Sequence, residues 1–507
     1  MSGYHHGRDH SGDLDLDCGV VVVGSGSSGA VIACHLAEAG FDVIVVEEGG
    51  HTTPDEIARM RPSQTMRHLW REAGMTMAVG VRGSPMINVM MGRCVGGSSV
   101  MTGGVCFRIP EAVLREWRDD HGLSEFTPEA LEACYADVEK VGHIAEVPVD
   151  MQSRSTALFA EGAAKLGHTV QPMRRNTHDC HGWSTCNFGC PRGAKMSVDR
   201  TYLPRAVSAG AAVHSDCLVD RVTRDRGRAT GIEGRVLNGP DGSPGGKLTI
   251  RASRVVLAAG AYHTPLILQR SGVGKRSRQV GRNLTLHPAF RVMARFDEDV
   301  SGWRGSMQSA FSGDFEDEGI QLNSMFTPGG ILAATMPGIG DAHRQRAMSV
   351  KNLAMFGANL HDDPGGVVTR GLGREPFVRY GMSRRDKSRI PRALQICADI
   401  FFAAGAREVF IPVLGFDGLD ADAFKQLDLS RIPTGRLECT SQHPLGTARM
   451  GVDESTSVVN REGRCWELEE LYVADGAAVP TSLGVNPQLA IMTLATRTAW
   501  NLRDKPI

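Results

Sequence analysis

The chain has 507 residues, which is enough for more than one domain and a large buried core. Its formal net charge of −1 gives no reason to expect nucleic acid or an anionic membrane as a partner. A hydrophobic content of 41% is ordinary for a globular protein, and no apolar run has membrane-spanning length. Residues 1–17 are polar and contain no signal-peptide core, so we expect a cytoplasmic protein with a solvated, disordered tail.

The first clear pattern in the chain is a βαβ unit. Residues 20–23 form a β-branched run that is typical of a strand buried on both faces. Residues 30–39 carry apolar side chains at helical spacing, and Gly40 is suited to end that helix. Residues 41–46 predict a second strand, so this region starts a parallel sheet.

A glycine motif, GSGSSG, joins the first strand to the helix. Gly24 permits the tight turn, Gly26 lets the backbone approach a pyrophosphate, and Gly29 lets the helix pack on the sheet. Glu47, at the end of the second strand, can accept hydrogen bonds from the ribose of an adenosine. The alternative is a glycine turn without a ligand, but the complete unit favours a bound FAD or NAD over NADP.

The remaining chain mixes helical and strand-like segments. A second small-residue stretch, GRCVGGSSVMTGGVCFR at residues 92–108, can bring backbone N–H groups close to a planar or phosphorylated ligand. Helices are predicted at residues 111–117, 128–141 and about 385–404, and strands at 214–222 and 248–259. Residues 238–246, NGPDGSPGG, predict a hairpin turn.

Four blocks in this order resemble the glucose–methanol–choline (GMC) oxidoreductases, which are FAD-dependent. The first two are the βαβ unit and the stretch at residues 92–108. The third is VVLAAGAYHTPLILQRSGVG, residues 255–274, followed by VGRNLTLHP. The fourth combines HPLGTARMG, residues 443–451, with LYVADGAAVPTSLGVNPQLAIMTLATR, residues 471–497. Any single block is weak, whereas the four together are specific.

This resemblance implies a fold and a division of the chain. We expect an α/β, Rossmann-like FAD-binding domain and a discontinuous α+β substrate domain with an antiparallel sheet. The FAD-binding domain would comprise residues 15–110, 201–289 and 441–507, the last of which would carry the catalytic residues. Residues 290–440 would form the substrate domain, together with part of the mixed helical and cysteine-loop segment 111–200.

The resemblance also implies roles for individual residues. Four of them, Gly24, Gly26, Gly29 and Glu47, would hold the ADP half of FAD, and Val219 would contact the adenine. The isoalloxazine and pyrophosphate would lie by Gly97, Ser98 and Thr102. Asp475 would bind the ribityl chain or phosphate, and the pyrimidine edge of the flavin would contact Asn486, Pro487 and Gln488. His443 would be the catalytic histidine, with Asn486 as its partner.

These residue types suit the oxidation of an alcohol. A histidine can accept the hydroxyl proton near neutral pH, and flavin N5 accepts the hydride. Asn486 can bind the substrate oxygen and orient the carbon. For an isolated histidine we would favour a purely structural role; the HPLGT context and the later Asn-Pro reverse that preference for His443.

Two positions depart from the family's pattern. The family usually has Asn where this chain has Thr102, which leaves the flavin contact of Thr102 open. Members with covalent FAD carry a histidine where this chain has Met101, so we expect non-covalent FAD.

Three of the twelve cysteines cluster in one loop, HDCHGWSTCNFGCPRGAK. Cys180, Cys186 and Cys190 have the spacing C-x5-C-x3-C and are followed by a proline, an arrangement that can surround an iron–sulfur cluster. The loop resembles that of the large subunits of bacterial sugar and polyol dehydrogenases, which carry a [3Fe-4S] cluster. Packing thiols, a zinc site completed by His178 or His181, and a disulfide are the alternatives.

The sequence therefore predicts an FAD-dependent alcohol dehydrogenase. With a cluster in the loop, electrons would pass to a non-oxygen acceptor such as a dye, a quinone or a partner protein. Co-export to the periplasm with a signal-bearing subunit would then be an alternative to the cytoplasm. The competing functions are an oxygen-using alcohol oxidase and a non-redox flavin lyase of the same family.

Overall fold

A computed structural model describes residues 3–238 and 243–505, except for the side chain of residue 244. The described strands, in chain order, are β1 (Tyr4–His6), β2 (Leu14–Val23), β3 (Val43–Val46), β4 (Met77–Gly80), β5 (Ile87–Val89), β6 (Ile144–Glu146), β7 (Gln171–Pro172), β8 (Arg174–Asn176), β9 (Ala212–Ser215), β10 (Cys217–Asp225), β11 (Arg228–Leu237), β12 (Pro244–Leu257), β13 (Ala289–Arg295), β14 (Ala310–Ser312), β15 (Ile320–Ser324), β16 (Leu353–Leu360), β17 (Gly366–Arg370), β18 (Pro376–Tyr380), β19 (Glu408–Phe410), β20 (Cys439–Ser441) and β21 (Leu471–Val473).

The described α-helices are α1 (Ser27–Glu38), α2 (Pro54–Arg59), α3 (Pro62–Leu69), α4 (Ser98–Met101), α5 (Glu111–Asp119), α6 (Pro128–Val141), α7 (Arg154–Lys165), α8 (Tyr202–Ser208), α9 (Gly260–Arg270), α10 (Gly329–Ala334), α11 (Asp341–Met348), α12 (Arg384–Ala403), α13 (Ala421–Lys425) and α14 (Gln488–Arg503). Within the described ranges, no helix is both long and apolar enough to cross a bilayer.

The first sheet has the strand order β1-β9-β3-β2-β12-β11-β10, and β21 also pairs with β12. The pairs from β1 to β12, and the pair with β21, are parallel, whereas β10, β11 and the first half of β12 form an antiparallel extension. Helices α8 and α14 pack against α1, which covers one face. This arrangement explains the β-branched run at residues 20–23, because β2 is buried between β3 and β12.

The second sheet follows the order β17-β18-β4-β5-β20-β13-β16-β15-β14-β7, with β19 also paired to β13. Its pairs are antiparallel except β18 with β4 and β5 with β20. Helices α7 and α12 pack on its apolar face. A Rossmann-like α/β domain and a second domain with a mainly antiparallel sheet are therefore confirmed. The exact domain boundaries stay a prediction, since β4 and β5 join this sheet from within residues 15–110.

The predicted disordered tail is wrong for residues 3–17. Residues 4–6 form β1 beside β9, and β2 begins at Leu14 because residues 14–18 pair with residues 248–252 of β12. Leu14 and Leu16 pack against the large apolar core, and an ion pair of 2.8 Å joins Arg8 to Asp216. Burial and pairing with distant strands order this polar segment, and neither is visible in its local composition.

Smaller differences concern element ends. The strand predicted at residues 214–222 is two strands, β9 and β10, separated at Asp216, whose φ of 55° breaks the extended run. The predicted hairpin turn at residues 238–246 falls partly on residues 239–242, which lie outside the described residues, although the flanking strands β11 and β12 pair antiparallel.

Candidate active site

A cavity lies where β2, β3 and β12 end. Its wall includes Val23, Val46 and Ala258, which stand at or just beyond the carboxyl ends of these strands. This edge of an open α/β sheet is where such folds bind ligands.

The glycine turn after β2 requires glycines for its close contacts. Gly24 has a φ of 101°, and a Cβ on it would lie 2.3 Å from the carbonyl oxygen of Ala258. A Cβ on Gly29 would lie 1.9 Å from the carbonyl oxygen of Gly24, so α1 packs directly on the turn. As a result the first turn of α1 meets the cavity at Ser27, with N–H groups and a positive helix end directed at a ligand.

The second glycine-rich stretch lies against the first. A Cβ on Gly97 would lie 2.8 Å from the Cα of Gly26, so the two backbones face each other across the cavity wall. The hydroxyl of Ser98 accepts a hydrogen bond of 3.0 Å from the backbone N–H of Gly92. Gly26, Gly97 and Ser98 all line the cavity, and their contacts with FAD stay a prediction.

Glu47 lines the cavity at the end of β3. Its carboxylate accepts hydrogen bonds from the Ser25 backbone at 3.0 Å, the Ser25 hydroxyl at 2.7 Å and the Gly49 backbone at 2.9 Å. Burial raises the pKa of this carboxyl, although these three donors oppose the shift. Glu47 thus fixes the glycine turn itself, and its ribose contact stays a prediction.

Val219 and Asp475 also line the cavity. Asp475 accepts hydrogen bonds from the Gly260 backbone at 2.7 Å, the Thr264 hydroxyl at 2.6 Å and the Ala477 backbone at 2.7 Å. Burial raises the pKa of Asp475 against the effect of these donors. The carboxylate therefore ties α9 to the chain after β21.

The two candidate catalytic residues are in contact. The side-chain nitrogen Nδ2 of Asn486 lies 3.1 Å from His443 Nε2. Within the described residues, His443 Nδ1 and Asn486 Oδ1 are buried without a hydrogen-bond partner. Burial, and next the neighbouring His287, lower the pKa of His443 well below its ordinary value, so this imidazole is neutral at neutral pH.

The start of α14 meets the loop after α4. Pro487 is the N-cap residue of α14 and lines the cavity, and the Thr102 hydroxyl donates to Gln488 Oε1 at 3.3 Å. The Nε2 atom of Gln488 is buried without a partner in the described part of the chain. Gly29, Thr102, Asn486 and Gln488 stand around the cavity without lining it.

These features fit FAD. The cavity has a phosphate-type helix end and two glycine backbones in close approach. His443 in its wall, and Asn486 and Gln488 beside it, have buried polar atoms without a partner in the described residues. A bound flavin with polar ring atoms would supply partners for such groups.

Sequence reasoning missed an ionic network at the cavity mouth. Buried Arg71 forms ion pairs with Glu48 and, at 2.8 Å, with Glu375. Burial alone would raise the pKa values of Glu48 and Glu375. Arg71 and neighbouring groups nevertheless lower both pKa values to about 2. No local motif reveals this network, because Arg71 and Glu375 are 304 residues apart in the chain.

The cysteine loop contacts the segment that ends at Thr102. The Nζ of Lys195 donates to the carbonyl oxygens of Val100 at 2.5 Å, Thr102 at 2.7 Å and Cys186 at 2.9 Å. Arg175 Nη2 lies 3.0 Å from Cys186 Sγ. Burial would raise the pKa of Cys186, but the charges of Arg175 and Lys195 outweigh it and lower the pKa.

Nowhere in residues 3–238 and 243–505 do three or more His, Cys, Asp or Glu side chains converge as metal ligands. Cys180, Cys186 and Cys190 are free, partly exposed thiols. The loop as folded therefore does not fit the predicted [3Fe-4S] cluster or the zinc alternative. The spacing alone was compatible with a cluster, but the three thiols do not converge in the described structure.

Comparison with known proteins identifies the family. The N-terminal family model for GMC oxidoreductases matches residues 21–289, and the C-terminal model matches residues 374–495. The chain belongs to the GMC oxidoreductase family. It is accordingly an FAD-dependent oxidoreductase that acts on CH–OH donors.

Several relatives extend over nearly the whole chain. An uncharacterised GMC-type oxidoreductase of Mycobacterium tuberculosis is 38% identical over 94% of this chain and 75% of the relative. Another from Sinorhizobium fredii is 31% identical over 96% of this chain and 95% of the relative. A long-chain-alcohol oxidase of Arabidopsis thaliana is 29% identical over 95% of this chain and 67% of its own length.

Solved structures share the GMC fold. Pyridoxine 4-oxidase from Mesorbium loti superposes with a TM-score of 0.74 at 19% identity, covering 97% of this chain and 100% of that one. Formate oxidase superposes with a TM-score of 0.73 at 16% identity, covering 98% of this chain and 99% of that one. At these identities the similarity concerns the fold alone.

Proposed function

We propose that this GMC oxidoreductase oxidises an alcohol CH–OH group to an aldehyde or ketone, with His443 as the base. The observation that carries the proposal is the buried contact of 3.1 Å between His443 and Asn486, next to the cavity that suits FAD. Each residue of the pair has an unpartnered polar atom within the described structure. Such a pair can bind a hydroxyl group and remove its proton.

The orientation of the pair suits that task. Asn486 Nδ2 donates to His443 Nε2, so Nε2 presents a lone pair and the proton of the neutral ring resides on Nδ1. A substrate hydroxyl that enters between the two side chains can donate to Nε2 and accept from Nδ2. Because the pKa of His443 is low, the ring is in its accepting form at neutral pH.

FAD, when bound, supplies the acceptor for the hydride that leaves the alcohol carbon. We propose that Gly24, Gly26, Glu47 and Val219 hold its ADP half, and that Asp475, Pro487 and Gln488 stand near its flavin half. Met101, at the position where covalent members carry histidine, is buried among Trp70, Val100 and other apolar residues. This environment supports a non-covalent cofactor.

The test is flavin reduction by a panel of alcohols under anaerobic conditions. His443→Ala should retain FAD and lower the reduction rate about a hundredfold or more, the scale expected for loss of a general base. Asn486→Asp should also impair reduction, because a carboxylate disfavours developing negative charge beside it. His168→Ala is the matched control, since His168 lies by Asp314 in the second domain, with both side chains about one-third exposed.

Wild-type reduction rates in His443→Ala would remove the base assignment. If no alcohol reduced the flavin and the enzyme cleaved a cyanohydrin, the result would support the lyase alternative instead.

The electron acceptor forms a second part of the proposal. The sequence prediction of a non-oxygen acceptor depends on a cluster in the cysteine loop, and the described geometry does not support that cluster. An oxygen-using oxidase is therefore a second candidate, supported also by the chain's similarity to the Arabidopsis long-chain-alcohol oxidases.

Iron and acid-labile sulfide analysis of anaerobically purified protein, together with a peroxide assay, separates the two candidates. Stoichiometric iron and slow peroxide formation would support the dehydrogenase. Flavin without iron, and rapid peroxide formation from an alcohol, would support the oxidase.

A further inference from the structure

The second sheet has one apolar and one polar face. Side chains alternate along its central strands, so Phe290 on β13, Leu322 on β15 and Phe356 on β16 enter the apolar core under α7 and α12. The residues between them point to the opposite face.

That opposite face carries polar side chains on neighbouring rungs. One rung aligns Ala289, Asn359 and Gln321, and the next aligns Arg291, Gly357 and Asn323. Gln321, Asn323 and Asn359 are buried or nearly so. Gly357, which has no side chain, lies between Arg291 and Asn323 in this rung. Polar residues at this depth in a sheet need partners, and Asn323 Oδ1 has none within the described residues.

The polar face leads directly to the catalytic pair. Ala289 pairs with Thr440 of β20, and His443 follows three residues later in the chain. At the start of β13, the rings of His287 and His443 have centroids 5.3 Å apart. Arg291 follows His287 by four positions, so their Cα atoms are at most about 14 Å apart. Beyond Arg291, the apolar cluster of Met293, Phe326 and Leu332 bounds the face.

Among the described residues, the Arg291 guanidinium has no hydrogen-bond or ion-pair partner. In the described part of the chain, burial lowers the pKa of three arginines, Arg291, Arg389 and Arg449. Arg389 donates to the His361 carbonyl at 2.8 Å and Arg449 to the Thr456 carbonyl at 3.1 Å, whereas no hydrogen bond or ion pair involves the Arg291 guanidinium. A half-buried guanidinium that has no hydrogen-bond partner among the described residues can pair with an acceptor that a ligand supplies.

The nearest opposing charge does not fill that role. In the register set by Ala289 and Thr440, Glu438 lies across from Arg291. The charge of Glu438 opposes the lowering of the Arg291 pKa by burial, but Glu438 is exposed and forms no ion pair within the described residues. Arg291 therefore remains available to a molecule that enters from this side.

We propose that Arg291 binds an anionic group on the alcohol substrate, a carboxylate or a phosphate, at the end of the molecule remote from the carbon that is oxidised. The inference rests on the proposed alcohol oxidation and names its substrate class. Arg291 is then a specificity-determining residue, because a guanidinium pairs with carboxylate and phosphate in fixed geometry. The neighbouring amides of Asn323 and Asn359 can bind polar groups between the two ends.

The first test compares matched alcohols with and without charge. The wild-type enzyme should have a higher kcat/KM for ω-hydroxyhexanoate than for n-hexanol, and for ω-hydroxydecanoate than for n-decanol. A parallel arm with ω-hydroxyhexyl phosphate shows whether carboxylate or phosphate is preferred. Equal kcat/KM for the charged and neutral members of every pair would overturn the proposal.

The second test changes the charge. Arg291→Met should raise KM for the charged alcohol about ten- to a hundredfold and leave n-hexanol unchanged, since one charge-assisted hydrogen-bonded contact is lost. Arg291→Lys should retain most of the preference. Arg295→Gln is the control, because Arg295 lies on the same strand but pairs with Glu408 at 2.5 Å. An equal loss for charged and neutral alcohols in Arg291→Met would indicate a structural role and overturn the proposal.

Two further measurements do not depend on that variant or on turnover. Glu438→Gln should raise kcat/KM for ω-hydroxyhexanoate by removing a like charge near the carboxylate. Hexanoate, which has no hydroxyl group, should perturb the flavin absorbance of the wild type, and more weakly that of Arg291→Met. Hexanoate binding without any flavin reduction by alcohols would refute the proposed function but keep the anionic site, whereas reduction by neutral alcohols without hexanoate binding would refute the site alone.

Discussion

The buried histidine beside the catalytic pair makes stability depend on pH in a defined direction. His287 is fully buried, and its Nε2 accepts hydrogen bonds from the backbones of Leu483 at 2.9 Å and Gly484 at 3.3 Å. Burial, and to a lesser extent His361, lower its pKa to about 3. Between about pH 3 and pH 6.5, His287 therefore binds a proton in the unfolded chain but not in the folded chain. Stability contributed through this group is complete above about pH 6.5 and falls as the pH decreases to about 3.

The size of the effect follows from linkage. With pKa values of about 3 folded and about 6.5 unfolded, lowering the pH from about 7.5 to about 5 costs about 2 kcal/mol of unfolding free energy from this one residue. His287→Gln removes the titrating group and keeps an oxygen that can accept from the loop at residues 483–484. The variant should therefore lose about 2 kcal/mol less than the wild type over that pH interval.

The assay is urea unfolding followed by tryptophan fluorescence at both pH values, with the FAD concentration held constant because the ligand shifts stability. Equal losses for the wild type and His287→Gln would refute the assignment of a neutral, buried His287.

Three other predictions concern the cofactor site. Glu47→Gln should weaken FAD binding about ten- to a hundredfold in a fluorescence titration, because an amide cannot accept from the Ser25 backbone, the Ser25 hydroxyl and the Gly49 backbone together. An unchanged Kd would count against a role of Glu47 in FAD binding. Gly29→Ala should yield protein without FAD, since its Cβ would meet the Gly24 carbonyl at 1.9 Å, while Gly330→Ala has open space and should behave as wild type. Acid precipitation should release the yellow colour into the supernatant because Met101 offers no covalent attachment; colour retained in the pellet would contradict this.

The sequence was sufficient where function depends on local motifs. The turn from Gly24 to Gly29 and the strand–helix–strand around it follow from the periodicity of one contiguous segment, because a βαβ unit is built from local contacts. The family blocks also identified His443 and Asn486, and the structure brings these two residues, 43 positions apart, to 3.1 Å. That pairing was expected from resemblance, not from spacing.

Other features depended on contacts between distant segments. The order of residues 4–6 comes from pairing with β9, and the ionic network of Arg71 joins residues separated by hundreds of positions. Cysteine spacing suggested a cluster, but only the fold placed Arg175 and Lys195 against Cys186. The unpaired charge of Arg291 is likewise invisible in sequence, because burial and the lack of a partner are properties of the folded sheet. Local pattern thus determined the cofactor-binding unit, whereas long-range packing decided which charges are paired and which remain free for a ligand.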